Sequence, residues 1–199
     1  MEQREPIGTN PLRNRFSDIL AAHRFILTEA AVIEALQRSS EIAINPHLAN
    51  ALLIYDPKGR AALSRLYVEF VAIAQQARVP VVLTTPTWRA GRERIERAGA
   101  PLRLNQDAVT FLRHLRAQAR DRATAMAIGG LLGPKNDAYQ PCQGLSAAAA
   151  ETYHQWQARQ LVDGGVDFLM AATLPALPEA KGIALAMGRT GVPYVVSVV

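Results

Sequence analysis

The stretch 166–199, VDFLMAATLPALPEAKGIALAMGRTGVPYVVSVV, decides the fold. It opens on an apolar run, VDFLMAAT (166–173), passes through a segment whose pattern predicts a helix over 177–189, and closes on a second apolar run, VPYVVSVV (192–199). Both runs are continuously apolar rather than alternating, as strands of a parallel sheet covered on both faces must be. Pro178-Glu179 opens the helix, where proline is tolerated in the first turn. Gly191 stands just past its end, where a left-handed residue is wanted. Strand, helix and strand together make one βαβ unit.

The same alternation extends upstream. A run RFILT (24–28) precedes a helix predicted over 32–38, and a helix over 59–76 precedes the run VPVVLTT (79–85). A helix over 105–118 leads to ATAMAIGG (123–130), and a helix over 146–163, with Ser146 as its cap and Gly164-Gly165 as its stop, leads back to residue 166. Five strands separated by helices predict an α/β fold in a single domain, 1–199, with 1–23 as an N-terminal extension. Periodicity leaves open whether the sheet is doubly wound or closed as a barrel. No G-x-G-x-x-G or G-x-x-x-x-G-K-[ST] occurs, and GGLLGPK (129–135) runs into Asn136 and Asp137 rather than a helix, so a phosphate-cradling loop is disfavoured. In either architecture functional groups collect at the C-terminal ends of the strands.

Composition narrows the classes. Of 199 residues, 49% are hydrophobic and 20% charged, a balance suited to a globular domain rather than a disordered or fibrous chain. The single cysteine, Cys142, excludes an internal disulfide. No secretory h-region and no uninterrupted apolar span of membrane length is present, so a reducing, cytoplasmic setting is expected, without membrane partners. The net charge of +5 is concentrated in 89–122, where nine Arg face four acids. Such a stripe attracts anions, but it lacks the interleaved aromatics of a single-strand binder. A solvated helix face is the favoured reading, and no nucleic-acid partner is expected.

Several polar residues fall at strand ends. Glu29 follows FILT and precedes AAV, so its carboxylate stands among apolar neighbours and needs a partner. It either caps the next helix or holds a substrate ammonium. Thr84, Thr85, Thr87 and Trp88 cluster around Pro86, which stops the ladder. They form a small-molecule wall or ordinary packing. Gly129, Gly130 and Gly133 allow a turn or a close approach. His23, His47, His114 and His154 show no ligand spacing to one another or to Cys142, which reads as a spectator thiol.

Taken together, ILTEAAVIEAL (26–36), VPVVLTTPTWRA (79–90), IGGLLGPKNDAY (128–139), YHQWQARQLVDGGVDFLMAATLP (153–175) and PEAKGIALA (178–186) resemble the homocysteine S-methyltransferase family, in order, from about residue 24 to 199. The resemblance implies a (β/α)8 barrel, here incomplete with about five strands. It also implies zinc-dependent transfer of a methyl group from a sulfonium or ammonium donor to a thiol such as homocysteine, forming methionine. By the same resemblance Glu29 holds the amino-acid substrate, Thr85, Thr87 and Trp88 line its pocket, and Gly133 and Thr173 belong to the substrate side. The resemblance implies zinc held by three cysteines, and this sequence reaches Val199 without them. Two further positions depart from the family: Ala30 stands where glycine is usual and Ala172 where glutamate is usual. A related thiol or amino acid is then an alternative acceptor. A non-catalytic, ligand-binding or oligomerising barrel remnant, its copies paired through open sheet edges, is the alternative function.

Overall fold

The computed structural model describes residues 15–38, 42–119 and 124–199. Its sheet has five strands, β1 (Leu27–Thr28), β2 (Val81–Thr84), β3 (Met126–Leu132), β4 (Phe168–Leu174) and β5 (Tyr194–Val198). All neighbouring pairs are parallel and the spatial order is β1-β2-β3-β4-β5. A doubly wound sheet reverses its strand order at a switch point, whereas a barrel adds each strand beside the last. The unbroken order therefore resolves what periodicity left open: this is a half-barrel of the (β/α)8 type.

The helices are α1 (Arg15–Ala22), α2 (Val32–Gln37), α3 (Pro57–Ala77), α4 (Arg92–Arg97), α5 (Leu104–Gln118), α6 (Ala147–Gly164) and α7 (Leu177–Gly188). Their ends have local causes. The Asp56 carboxylate accepts the Gly59 N–H (2.6 Å) and Pro57 takes the first position of α3. Ser146 Oγ accepts the Ala149 N–H at the start of α6, and Gly165, at φ 90°, ends it.

Alternate strand residues serve two faces. Val81, Leu83, Met126, Ile128, Leu169 and Ala171 join the main core with the helices. Val82, Ala127 and Phe168 face the other way and pack with Phe16 and Ile19 of α1. Phe16 stacks on Phe168 with ring centroids 3.9 Å apart. Residues 15–22, expected as part of an extension, are thus a helix covering the inner face of the sheet. Residues 1–14 of that extension lie outside the described residues.

Three sequence expectations shift. The first strand was expected over 24–28, but only Leu27–Thr28 pairs, and Phe25 is 67% exposed. The third strand, expected over 123–130, runs on to Leu132, so Gly129 and Gly130 lie within the ladder, as that run has them, and of their two readings close approach applies rather than a turn. A Cβ at Gly129 would strike the Phe168 ring, and one at Gly130 would strike Leu161 and Leu169. The short helix α4, RERIER, was not expected, because only Ile95 of its six residues is buried. No helix among the described residues is long and apolar enough to cross a membrane.

Candidate functional site

A cavity of about 300 Å³ opens at the C-terminal ends of β1 to β4. Its wall includes Glu29, Ile33, Trp88, Tyr139, Met170 and Thr173. A second hollow of about 510 Å³ lies at the opposite end, between α1 and the start of β3. Active sites of parallel α/β barrels sit at the C-terminal end, which is where the upper cavity and five of its lining groups, Glu29, Thr84, Trp88, Ala172 and Thr173, lie.

Glu29 is the only one of the six expected site residues that brings a charge. Its Oε1 accepts the Thr84 N–H (2.9 Å) and the Thr84 hydroxyl. Its Oε2 is buried and has no hydrogen-bond partner among the described residues. Burial pushes the carboxyl up from the usual carboxylate range, against the pull of the two Thr84 bonds. The helix-cap role does not hold: the residue preceding α2 is Ala31, and no side chain caps that helix. Thr84 is itself braced from behind, where its carbonyl accepts the hydroxyl of buried Tyr67 (2.9 Å).

Thr85 and Thr87 are fully buried and their hydroxyls bond to each other (2.6 Å) rather than opening on the cavity. Thr85 Oγ1 accepts the Leu131 N–H (3.0 Å) and Thr87 donates to the Leu131 carbonyl (2.7 Å). These bonds splice the loop after β2 onto β3 beyond Pro86. Gln157 adds an amide donor to the Thr87 carbonyl (2.7 Å). Of the two readings of this cluster, packing describes Thr85 and Thr87, and the wall position describes Trp88.

Trp88 crosses from the β2 loop to β4. Its indole N–H donates to Thr173 Oγ1 (2.9 Å), and its edge lies where a Cβ at Gly133 would be. Glu29, Trp88, Gly133 and Thr173 are therefore brought to one place.

The sequence did not reveal a second buried carboxylate at this end, where exposed Glu34 also lines the cavity. Glu179, third residue of α7, is fully buried and gathers the loop between β3 and α6. It accepts the Lys135 N–H (2.8 Å) and the Leu145 N–H (3.2 Å), and His154 Nε2 lies 3.2 Å from it. Burial alone would push this carboxyl up, but the bonds from His154, Lys135 and Leu145 outweigh it and hold it below the usual range. The loop so clasped carries Ala138 and Tyr139 to the cavity. The only sequence signal was the Pro-Glu start of a helix, and the 25-residue separation from His154 forms no motif.

Zinc held by three cysteines does not fit these residues. Cys142 is the sole cysteine in the sequence and is exposed, and no group of three His, Cys, Asp or Glu among the described residues is placed to hold a metal. The arginine stripe is largely engaged within the chain. Arg92 pairs with Glu96, Arg97 with Glu93 and Arg103 with Asp107, while Arg116 reaches the buried Asp167. Arg120 and Arg122 lie outside the described residues.

The fold is shared with solved structures of the homocysteine methyltransferase MmuM from Escherichia coli. The metallated form matches with a TM-score of 0.71 at 19% identity, over 91% of this chain and 65% of that one. The oxidized form gives 0.68 at 20% identity, over 92% and 65%, and the apo form 0.63 at 20%, over 94% and 64%. The chain thus spans about 65% of the length of these neighbours. No curated protein matches it. The family model for homocysteine S-methyltransferase matches residues 26–199, nearly the whole described half-barrel. The chain belongs to the homocysteine S-methyltransferase family.

Proposed function

We propose that this half-barrel is the substrate-holding part of a thiol methyltransferase, in which Glu29 binds the ammonium group of an amino-acid thiol such as homocysteine. The observation that carries this reading is Glu29 on the wall of the upper cavity, with an Oε2 that is buried and has no hydrogen-bond partner among the described residues. An ionised carboxylate withdrawn from water is costly unless a cation meets it. The neighbouring wall is apolar and aromatic, suited to a short thioether or thiol chain. Trp88, with Gly133 and Thr173 behind it, forms the wall beside the aliphatic part. Thr85 and Thr87 hold that wall in place from the protein side.

In the family's reaction the thiol gives up its proton, its sulfur bonds to the methyl carbon as the donor's S–C or N–C bond breaks, and the donor leaves as a neutral thioether or amine, giving methionine from homocysteine. The residues here bind and orient the acceptor, and no step is assigned through zinc, whose three cysteines this sequence does not supply. The reading places the protein in a reducing, cytoplasmic setting with a small-molecule acceptor and a methyl donor as partners. Its arginine stripe, paired along α4 and α5, is taken as a solvated face rather than a nucleic-acid surface.

Isothermal titration with L-homocysteine tests the reading. Glu29→Gln keeps an acceptor for Thr84 but removes the charge, and is expected to weaken binding by about tenfold or more, equivalent to about 1.4 kcal/mol. Equal affinity of the variant and the parent would overturn it.

A further inference from the structure

The end of β4 is irregular in a way that bears on the cavity. Ala171 pairs with Val196 and Leu174 with Val198, so two residues of β4, Ala172 and Thr173, stand opposite one residue of β5. This is a β-bulge. Thr173 adopts φ 56°, a left-handed conformation that is strongly disfavoured for a β-branched side chain. In a regular strand Met170 and Ala172 would share a face and Thr173 would point away. The bulge brings all three to the cavity wall.

Strain of this kind persists where surrounding contacts over-determine it. Here the contact is Trp88. The Thr173 hydroxyl donates to the Ala172 carbonyl (2.6 Å) and accepts the Trp88 indole N–H (2.9 Å). The indole reaches Thr173 by passing over Gly133, where any Cβ would overlap the ring and the Trp88 carbonyl. One aromatic side chain thus spans from the β2 loop to β4 across the end of β3.

We propose that Thr173 and Gly133 are positioning residues for Trp88, and that the fixed Trp88 ring is a specificity-determining wall of the cavity. The indole N–H is already engaged by Thr173, so the ring offers the ligand an apolar face rather than a hydrogen bond. The ligand class this selects has a cationic head at Glu29 and an unbranched apolar body along the indole. This rests on the cavity being the ligand site proposed above, while the position of the ring is independent of it.

The test uses the full chain with Trp156→Phe, which leaves Trp88 as the single tryptophan. Thr173→Ser and Thr173→Ala differ only in the hydroxyl and both lack the β-branch. The Ser variant is expected to keep the parent's emission maximum and acrylamide quenching. The Ala variant is expected to shift the emission to the red and quench more strongly, and Gly133→Ala is expected to do the same by steric displacement. Circular dichroism confirms that each variant is folded. Titration with L-homocysteine then follows the emission: the Ala variants bind about tenfold more weakly and Thr173→Ser binds as the parent does, a difference of about 1.4 kcal/mol. Emission of folded Thr173→Ala and Gly133→Ala identical to that of the parent would overturn the positioning. Displaced emission with unchanged homocysteine affinity would overturn the specificity role. If homocysteine binds neither the parent nor Glu29→Gln, the ammonium reading fails; displaced emission still supports the positioning, and the specificity role falls with that reading.

Discussion

Two glutamates withdrawn from solvent stand at the same end of the sheet and behave in opposite ways. Glu179, at the start of α7, meets two backbone N–H groups and the His154 ring, and its carboxyl is held below the usual range. Glu29, after β1, spends one oxygen on Thr84 and leaves the other buried without a partner among the described residues, and its carboxyl is pushed up. The first is satisfied by the protein and closes a loop. The second keeps one oxygen that no described residue meets. Burial of a carboxylate therefore does not by itself decide its role; what distinguishes Glu29 from Glu179 is an unfilled acceptor on a residue that lines the upper cavity.

The largest effect that could break this contrast is on stability. Glu179→Ala leaves the Lys135 and Leu145 N–H groups without their acceptor and is expected to cost about 3 kcal/mol in denaturant unfolding. A change in midpoint no larger than that of a surface substitution would mean that Glu179 is not a clasp. The pH dependence of the two Gln variants has opposite sign. Because the native Glu179 carboxyl is lowered, its contribution is present above the unfolded value of about 4.3 and fades as pH falls through the lower native value. The deficit of Glu179→Gln is thus largest at neutral pH and shrinks in acid. Because the native Glu29 carboxyl is raised, ionising it costs stability as pH rises above about 4.3. Glu29→Gln is accordingly expected to gain on the parent between acid and neutral pH, read from urea midpoints across that range. Deficits of the same sign would erase the comparison.

Smaller effects sharpen it. Thr85→Val removes the acceptor of the Leu131 N–H and the mate of Thr87, at a cost of about 1 kcal/mol. Its homocysteine affinity, measured by calorimetry, should stay that of the parent, because the hydroxyl belongs to the wall and not to the cavity. The smallest change is expected at the arginine stripe. Arg92→Ala breaks an exposed pair with Glu96 and should move the unfolding free energy by less than about 0.5 kcal/mol.

The sequence made the strands and long helices legible because their signals are local. Continuous apolar runs, Ser146 and Gly165 each state an element's place without reference to the rest of the chain. Strand order is not local, and no periodicity distinguishes a barrel from a doubly wound sheet; the resemblance to a family supplied it. Helix α1 escaped because eight residues with two buried apolar side chains look like any charged terminus. Thr85 and Thr87 were located but their direction was not, since hydroxyls at a strand end face a cavity or a neighbouring strand with the same sequence. Glu29 was legible because a lone acid in an apolar setting demands a partner. Glu179 and His154 were not, because each finds its partner only after the chain has crossed from α6 to α7.

The central claim is that Glu29 is a buried carboxyl with an unfilled acceptor, whose ionised form a cationic substrate would stabilise. Carboxyl-carbon NMR of the chain, with Glu29 assigned through Glu29→Gln, measures this directly. Glu29 is predicted to titrate above the other glutamates in the free protein and to move down when L-homocysteine is added, because the ammonium favours the ionised form. A Glu29 resonance that titrates with the exposed glutamates, or that does not respond to homocysteine, would contradict it.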